Sequence, residues 1–227
     1  MADGRLVIGN RRYSSWSLRG WLAVRLAGLD VTEEVLPMAP AGTPAIQAAS
    51  PNRLVPYLEH RGIRVWESLA IAEYCAEQQP GQGQGDRLWP ADPARRAHAR
   101  SVAAEMHAGF RGLRLAMPMN LGREFPGGGR SPEALEDIAL MQALWRGCRA
   151  AHGGAFLFGA EFGLADAMFA PVCARFLTWR PELAADAWEY VQAVRAHPLL
   201  AEWHAAALAE PAAWLLDKYE NPPGWPA

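Results

Sequence analysis

Three short stretches hold side chains whose types and spacing could do chemistry. The first is Tyr13-Ser14-Ser15-Trp16-Ser17-Leu18-Arg19, which places hydroxyls in the turn after an apolar run and in the opening turn of a helix. Backbone N–H groups there lack intrahelical partners and the helix dipole is positive. A thiol titrates near about pH 8.5 when free, and a hydroxyl donor at a helix start lowers that by about a unit or more, so this is a place that stabilises a thiolate. The second is Val55-Pro56 at the entrance to a strand. Proline cannot donate to a sheet ladder and belongs at an edge or a strand start. If the bond before Pro56 is cis, the N–H and C=O of Val55 point outward, ready to pair with an extended peptide. The third is Glu67-Ser68 ahead of another helix. The Ser68 hydroxyl and N–H suit an α-carboxylate, and Glu67 suits the neighbouring ammonium of the same amino acid. Each stretch also has a plainer reading, with the serines as helix caps and Pro56 as a trans proline that merely begins a strand. The three carry information in combination.

The elements that must position these residues follow from periodicity. Leu6-Val7-Ile8 reads as a short buried strand, followed by a polar turn at residues 10–12. Leu18, Trp21, Leu22, Leu26 and Leu29 recur at helical spacing, with Ser14 or Ser15 as N-cap and Gly28 as the stop. Residues 31–36 form a second strand. Residues 55–59 and 63–65 flank His60-Arg61-Gly62 as a hairpin, and residues 68–79 form a closing helix. The predicted order is β-α-β-α-β-β-α over residues 1–80. A Gly/Gln-rich linker spans 81–88 and an all-helical domain spans 89–227. In that second domain Val102, Met106, Phe110, Leu113 and Met117 make one predicted helical stripe, and Leu135, Ile138, Met141, Trp145 and Cys148 another. Further helices are predicted around 164–179, 187–195 and 199–208.

Composition narrows the function classes. The chain has 227 residues, 22 Lys and Arg against 24 Asp and Glu, and a net charge of -2, without a basic tail or aromatic interleaving, so nucleic acid is not the expected partner. Three widely spaced cysteines form no metal-ligand pattern and fit a reducing compartment. No apolar stretch approaches membrane-spanning length, and the expected location is cytoplasmic.

Taken in order, Ser14-Ser15-Trp16-Ser17-Leu18-Arg19, then residues 50–58 (Ser50-Pro51-Asn52-Arg53-Leu54-Val55-Pro56-Tyr57-Leu58) and residues 67–74 resemble the soluble glutathione transferase superfamily. The serine-bearing opening is similar to the serine classes, zeta in particular. The stretch from Gly159 to Pro171 resembles the family's buried turn into a helix, with Asp166 as half of a capping box. The resemblance implies a thioredoxin-like first domain, an all-α second domain and glutathione as cosubstrate. Its cysteinyl backbone would pair with Val55 beside a cis Pro56, and its γ-glutamyl end would be held by Glu67 and Ser68. Ser14 is the first candidate to hydrogen-bond the sulfur, Ser15 the second and Tyr13 the third. Leu54 stands where many relatives have Lys or Gln, so Arg53 is the candidate at the glycine end.

The electrophile pocket is expected to draw on Tyr13, Met106, His107, Phe110 and Arg175, with Arg114 nearby. Most of these also read as core. Arg175 falls on an apolar face with Met168, Pro171, Val172 and Trp179, where an unpaired charge is costly. It therefore has either a buried acidic partner or an anionic substrate. Three functions follow: conjugation of glutathione to a small hydrophobic electrophile, glutathione-dependent cis–trans isomerisation of a dicarboxylate, or a non-catalytic glutathione-binding module. The resemblance also implies a homodimer.

Overall fold

The computed structural model describes residues 2–38, 43–78 and 88–222. Almost all of the predicted linker at 81–88 lies outside the described residues. The first part contains β1 (Gly4–Ile8), α1 (Ser15–Leu26), β2 (Thr32–Val35), α2 (Pro44–Ala49), β3 (Tyr57–His60), β4 (Ile63–Trp66) and α3 (Ser68–Glu77). The sheet order is β2-β1-β3-β4, with β1 parallel to β2 and the other neighbours antiparallel. This is the thioredoxin-like arrangement expected from the sequence. Helix α1 starts at Ser14, whose Oγ accepts the Ser17 N–H at 3.2 Å. It stops where Gly28 takes a φ of +65° and the Gly28 and Leu29 N–H groups reach back to Arg25 and Val24, the left-handed stop that favours glycine. The hairpin turn falls on Arg61 and Gly62, both at positive φ, as a two-residue connection requires.

The second part is helical: α4 (Pro93–Ala108), α5 (Arg111–Ala116), α6 (Pro132–His152), α7 (Leu164–Trp179), α8 (Ala185–Ala196), α9 (Pro198–Leu208) and a short α10 (Asp217–Glu220). The stripe from Val102 to Met117 does not lie on one helix. Gly109 ends α4, and Phe110, at a φ of +55°, starts α5. The buried face of α6 runs through Ala134, Ile138, Met141, Trp145 and Cys148, while Leu135 is exposed. Helix α7 is buried nearly all round, packs on α1, and joins the two parts through one continuous apolar core.

Asp166 anchors α7. Its carboxylate accepts the Gly163 N–H at 3.0 Å, the Leu157 N–H at 3.0 Å and the Tyr190 hydroxyl at 2.9 Å. Burial pushes its pKa up to about 6, so at neutral pH it is still ionised and able to accept all three. The Asp166→Ala variant leaves three buried donors without partners. Each costs about 1–3 kcal/mol, and the expected loss of unfolding free energy is about 3–5 kcal/mol. Urea unfolding followed by circular dichroism checks this, and a midpoint equal to wild type would contradict it.

Candidate glutathione site at the start of the first helix

The N-terminal end of α1 is knit to the sheet by hydroxyls. Ser17 Oγ accepts the Gly9 N–H at 3.0 Å, and Ser14 donates to Ser17 Oγ at 2.8 Å. Gly9 is crowded by the Met38 and Val55 side chains, since a Cβ there would stand 2.9 Å from Met38 Sδ and 3.3 Å from Val55 Cγ2. Ser14 is thus bonded through Ser17 to Gly9, which packs beside Val55. The Val55–Pro56 peptide bond is cis. The β1–β3 ladder begins only at Tyr57, and neither the N–H nor the C=O of Val55 makes a hydrogen bond among the described residues.

Pro56 is buried against α1 at Gly20. A Cβ at residue 20 would stand 2.8 Å from Cγ and 2.9 Å from Cβ of Pro56, so only glycine lets the helix approach the ring. The ring cannot swing aside. Gly20→Ala is therefore expected to cost about 1–3 kcal/mol of stability and to raise the KM for glutathione, because Val55 would move with Pro56. Thermal denaturation and saturation kinetics check both effects, and a variant normal in both would contradict the placement.

At the head of α3, Glu67 has φ 70° and ψ 129°, a conformation that costs a non-glycine residue about 1–3 kcal/mol. Its carboxylate is half-exposed. The Ser68 hydroxyl beside it is buried and has no hydrogen-bond partner among the described residues. An orphaned hydroxyl at a helix start, next to a half-exposed carboxylate, fits a group carrying both charges of an amino acid. Arg53 is exposed at positive φ and donates to Gln47 at 2.8 Å. It lies on the loop before Val55.

The other side of the cleft comes from the helical part. Ser15 Oγ accepts a hydrogen bond from Arg175 at 3.2 Å, so the two serines face different partners. Arg175 is 5% exposed; it also donates to the Pro171 carbonyl at 3.1 Å, while its Nε has no partner. No carboxylate pairs with it among the described residues, and the buried acidic partner expected as one alternative is not there. Arg19, read from sequence as structural, is fully buried, donates through Nε to the Met168 carbonyl at 2.8 Å, and leaves both terminal nitrogens unpartnered. Arg19 and Arg114 lie over the Trp16 ring at 4.6 and 4.4 Å, and His107 meets Trp16 edge-on at 5.2 Å. Burial first holds the pKa values of Arg19 and Arg175 down; the charges of Arg175 and Arg114 lower Arg19 further, and that of Arg114 helps bring Arg175 to about 9. All three guanidiniums stay charged at neutral pH.

The remaining predicted pocket residues divide. Met106 is core, and Phe110 is a nearly buried helix start. His107 is partly exposed, 3.9 Å from the Glu67 carboxylate; burial lowers its pKa against the pull of that charge, and its Nδ1 has no partner. The Tyr13 hydroxyl is committed elsewhere, donating to Glu220 at 2.6 Å and accepting from the Leu216 N–H at 3.2 Å. Burial and the Glu220 bond raise its pKa. Sequence reasoning missed Trp16 and Arg19. Their signal was the spacing from Ser15, which puts Arg19 one helical turn on, against the second part. Among the described residues no group of His, Cys, Asp or Glu could hold a metal ion, and the three cysteines are buried and unpaired.

Residues 13–78 match the N-terminal domain of glutathione S-transferases and residues 132–206 match their C-terminal domain. Over 215 residues the chain is 30% identical to a maleylacetoacetate isomerase of Pseudomonas aeruginosa, covering 86% of this chain and 93% of that one. The chain belongs to the glutathione S-transferase family. It is also 28% identical to the maleylacetoacetate isomerase of Rattus norvegicus, covering 81% of this chain and 84% of that one. Two solved structures share the fold. A glutathione transferase homolog from Burkholderia gl BGR1 with bound glutathione superposes with a TM-score of 0.67 at 21% identity, covering 91% of this chain and 99% of that one. A theta class glutathione S-transferase from Xanthomonas axonopodis pv. citri with glutathione bound gives 0.65 at 22%, covering 92% and 99%. In this glutathione S-transferase family member, Ser15 meets the C-terminal domain through Arg175, while Ser14 is bonded within the N-terminal one.

Proposed function

We propose that this chain binds glutathione as an added strand on Val55, with the γ-glutamyl end at Glu67 and Ser68 and the sulfur at Ser14. In the free protein Ser14 donates to Ser17, whose oxygen also accepts from Gly9. When Ser17 turns its hydroxyl hydrogen to Ser14, the Ser14 hydrogen is released to the sulfur and the helix start stabilises the thiolate. Ser15 and Arg175 face the acceptor.

The reaction these residues support best is glutathione-dependent cis–trans isomerisation of an unsaturated diacid. One observation carries that reading: Arg19, Arg114 and Arg175 gather around Trp16 and Ser15 with no ion pair to any of them among the described residues, a positive basin that an acidic acceptor would neutralise. The thiolate adds to one alkene carbon, the electron pair moves into the adjacent carbonyl, and the new single bond rotates. Collapse of the enolate then re-forms the alkene and expels the thiolate, so glutathione is not consumed. That the curated relatives are maleylacetoacetate isomerases supports the same reading. Conjugation to a small hydrophobic electrophile is the second reading, carried by the family's transferase chemistry.

A panel of acceptors including maleylacetone and aryl halides, assayed while glutathione is followed, separates the two. Maleylacetone turnover without glutathione loss is expected. Conjugation of aryl halides with no action on the diacid would favour the second reading. Homodimerisation through α3 against the partner's α4 and α6, where Leu135 and Leu140 are exposed, and cytoplasmic residence belong to the same proposal. No helix among the described residues is long and apolar enough to cross a membrane.

A further inference from the structure

The turn that delivers the chain to Ser14 is held from the helical part. Arg11 and Arg12 lie between β1 and α1, where neither a ladder nor a helix takes up their backbone polar groups. Both N–H groups go to one carboxylate. Glu210, just past the end of α9, accepts the Arg11 N–H at 2.6 Å through one oxygen and the Arg12 N–H at 3.3 Å through the other. The two carbonyls are taken as well: the Trp203 indole donates to that of Arg11 at 3.0 Å, and the Leu121 N–H to that of Arg12 at 3.2 Å. Tyr13 is pinned next, through Leu216 and Glu220, and the Glu220 carboxylate also accepts from Asn120 at 3.0 Å. The Ser14 N–H closes the turn on the Asn10 carbonyl at 2.9 Å.

Glu210 spends its charge on backbone. The neighbouring guanidiniums turn to other carboxylates, Arg11 to Glu33 and Arg12 to Glu220, and Glu210 forms no salt bridge among the described residues. Two N–H groups on one anion make charge-assisted bonds, about twice as strong as neutral ones. They fix the backbone that carries Ser14, and a donor to a thiolate must be held to within about 0.5 Å. We infer that Glu210 is a positioning residue for the thiolate site, its carboxylate fixing the turn at residues 11–13 and thereby the Ser14 hydroxyl against the glutathione sulfur. The inference rests on the reading of Ser14 as the donor to that sulfur. Glu210 acts through the backbone of Arg11 and Arg12. The proposed binding contacts at Val55, Glu67 and Ser68 all belong to the first part, so binding of glutathione and ionisation of its thiol draw on different halves of the molecule.

Ultraviolet titration of the bound thiol, joined to steady-state kinetics on the full chain, tests this. Glu210→Ala is expected to lower turnover by about tenfold to a hundredfold, the cost of a donor displaced by about 1 Å, with the KM for glutathione little changed. The bound thiol should titrate higher, part of the way to its position in Ser14→Ala. Glu210→Gln keeps one acceptor and should fall between alanine and wild type in both readouts; should the alanine variant unfold, the glutamine variant carries the same comparison. The control is the pair of Arg25 with Glu202, which also joins α1 to α9, at 2.9 Å, and touches no backbone group of the turn. Glu202→Gln is expected to leave the bound thiol where wild type has it. An equal rise in Glu202→Gln and the Glu210 variants would make Glu210 a plain tether between the two parts and overturn the inference. So would Glu210 variants that titrate as wild type while Ser14→Ala is shifted. If Ser14→Ala itself leaves the thiol unmoved, the reading of Ser14 fails, and the inference falls with it.

Discussion

The Ser14→Ala enzyme is expected to turn over about a hundredfold to a thousandfold more slowly than wild type, with the KM for glutathione little changed. The magnitude is that of removing one preorganised donor from a developing or resident anion. The KM is expected to hold because the proposed binding contacts, at Val55, Glu67 and Ser68, are not touched by alanine at the helix start. The same substitution removes the cap that Ser14 provides to the Ser17 N–H, a loss of about 1 kcal/mol. That is small beside a core in which Leu18, Trp21 and Leu22 are buried against the rest of the fold, so the variant stays folded. Ser15→Ala should behave differently, raising the KM for the acceptor more than it lowers turnover, because Ser15 is tied to Arg175 and not to the sheet. Steady-state kinetics of both variants decides between these roles. A non-catalytic module would keep its affinity for glutathione in Ser14→Ala and have no turnover to lose.

Arg175→Met should separate function from stability. Turnover of an unsaturated diacid is expected to fall by about a hundredfold, the loss of a buried charged contact to the substrate. The free protein should become more stable. A cation whose folded pKa lies below its unfolded value weakens the fold at every pH under the folded value, and the penalty eases only as pH rises through about 9 towards the ordinary arginine value. At neutral pH that penalty is present in full, and Arg19 and Arg114 add repulsion to it. Replacing such a charge by an apolar side chain of similar length gains about 1–4 kcal/mol, equivalent to roughly 2–10 °C in Tm at this chain length. A scan of the ligand-free variant checks the gain, and the kinetics of the same sample check the loss. A destabilised variant with normal diacid turnover would mean that Arg175 is a structural tether.

Six of the first seven elements were legible from a period or a stop; the short helix Pro44–Ala49 carries neither and entered only through the predicted order. Leu6 to Ile8 is a short apolar run, the α1 stripe recurs at helical spacing, and Arg61-Gly62 is a two-residue turn. The break between α4 and α5 was not legible. Val102, Met106, Phe110, Leu113 and Met117 keep helical spacing across it, and only the left-handed backbone of Phe110 after Gly109 divides them. The residues proposed for the thiol side could be named from local chemistry, since hydroxyls, a strand-entry proline and a helix start fall within short stretches that carry information in combination. The proposed acceptor side was not, because Arg19, Arg114 and Arg175 come from three helices and only packing shows that they gather around Trp16 and Ser15 with no ion pair among the described residues. The strained backbone of Glu67 was likewise silent, as Glu at positive φ leaves no mark in the sequence.

The central claim is that Ser14 at the opening of α1 ionises the thiol of a peptide laid along Val55. Titrating the ultraviolet absorbance of the thiolate in the protein–glutathione complex tests it most directly. The account predicts that the bound thiol ionises at least about one pH unit below free glutathione, and that Ser14→Ala moves it back towards the free value. A bound thiol that titrates where free glutathione does, in the wild-type protein, would contradict the account.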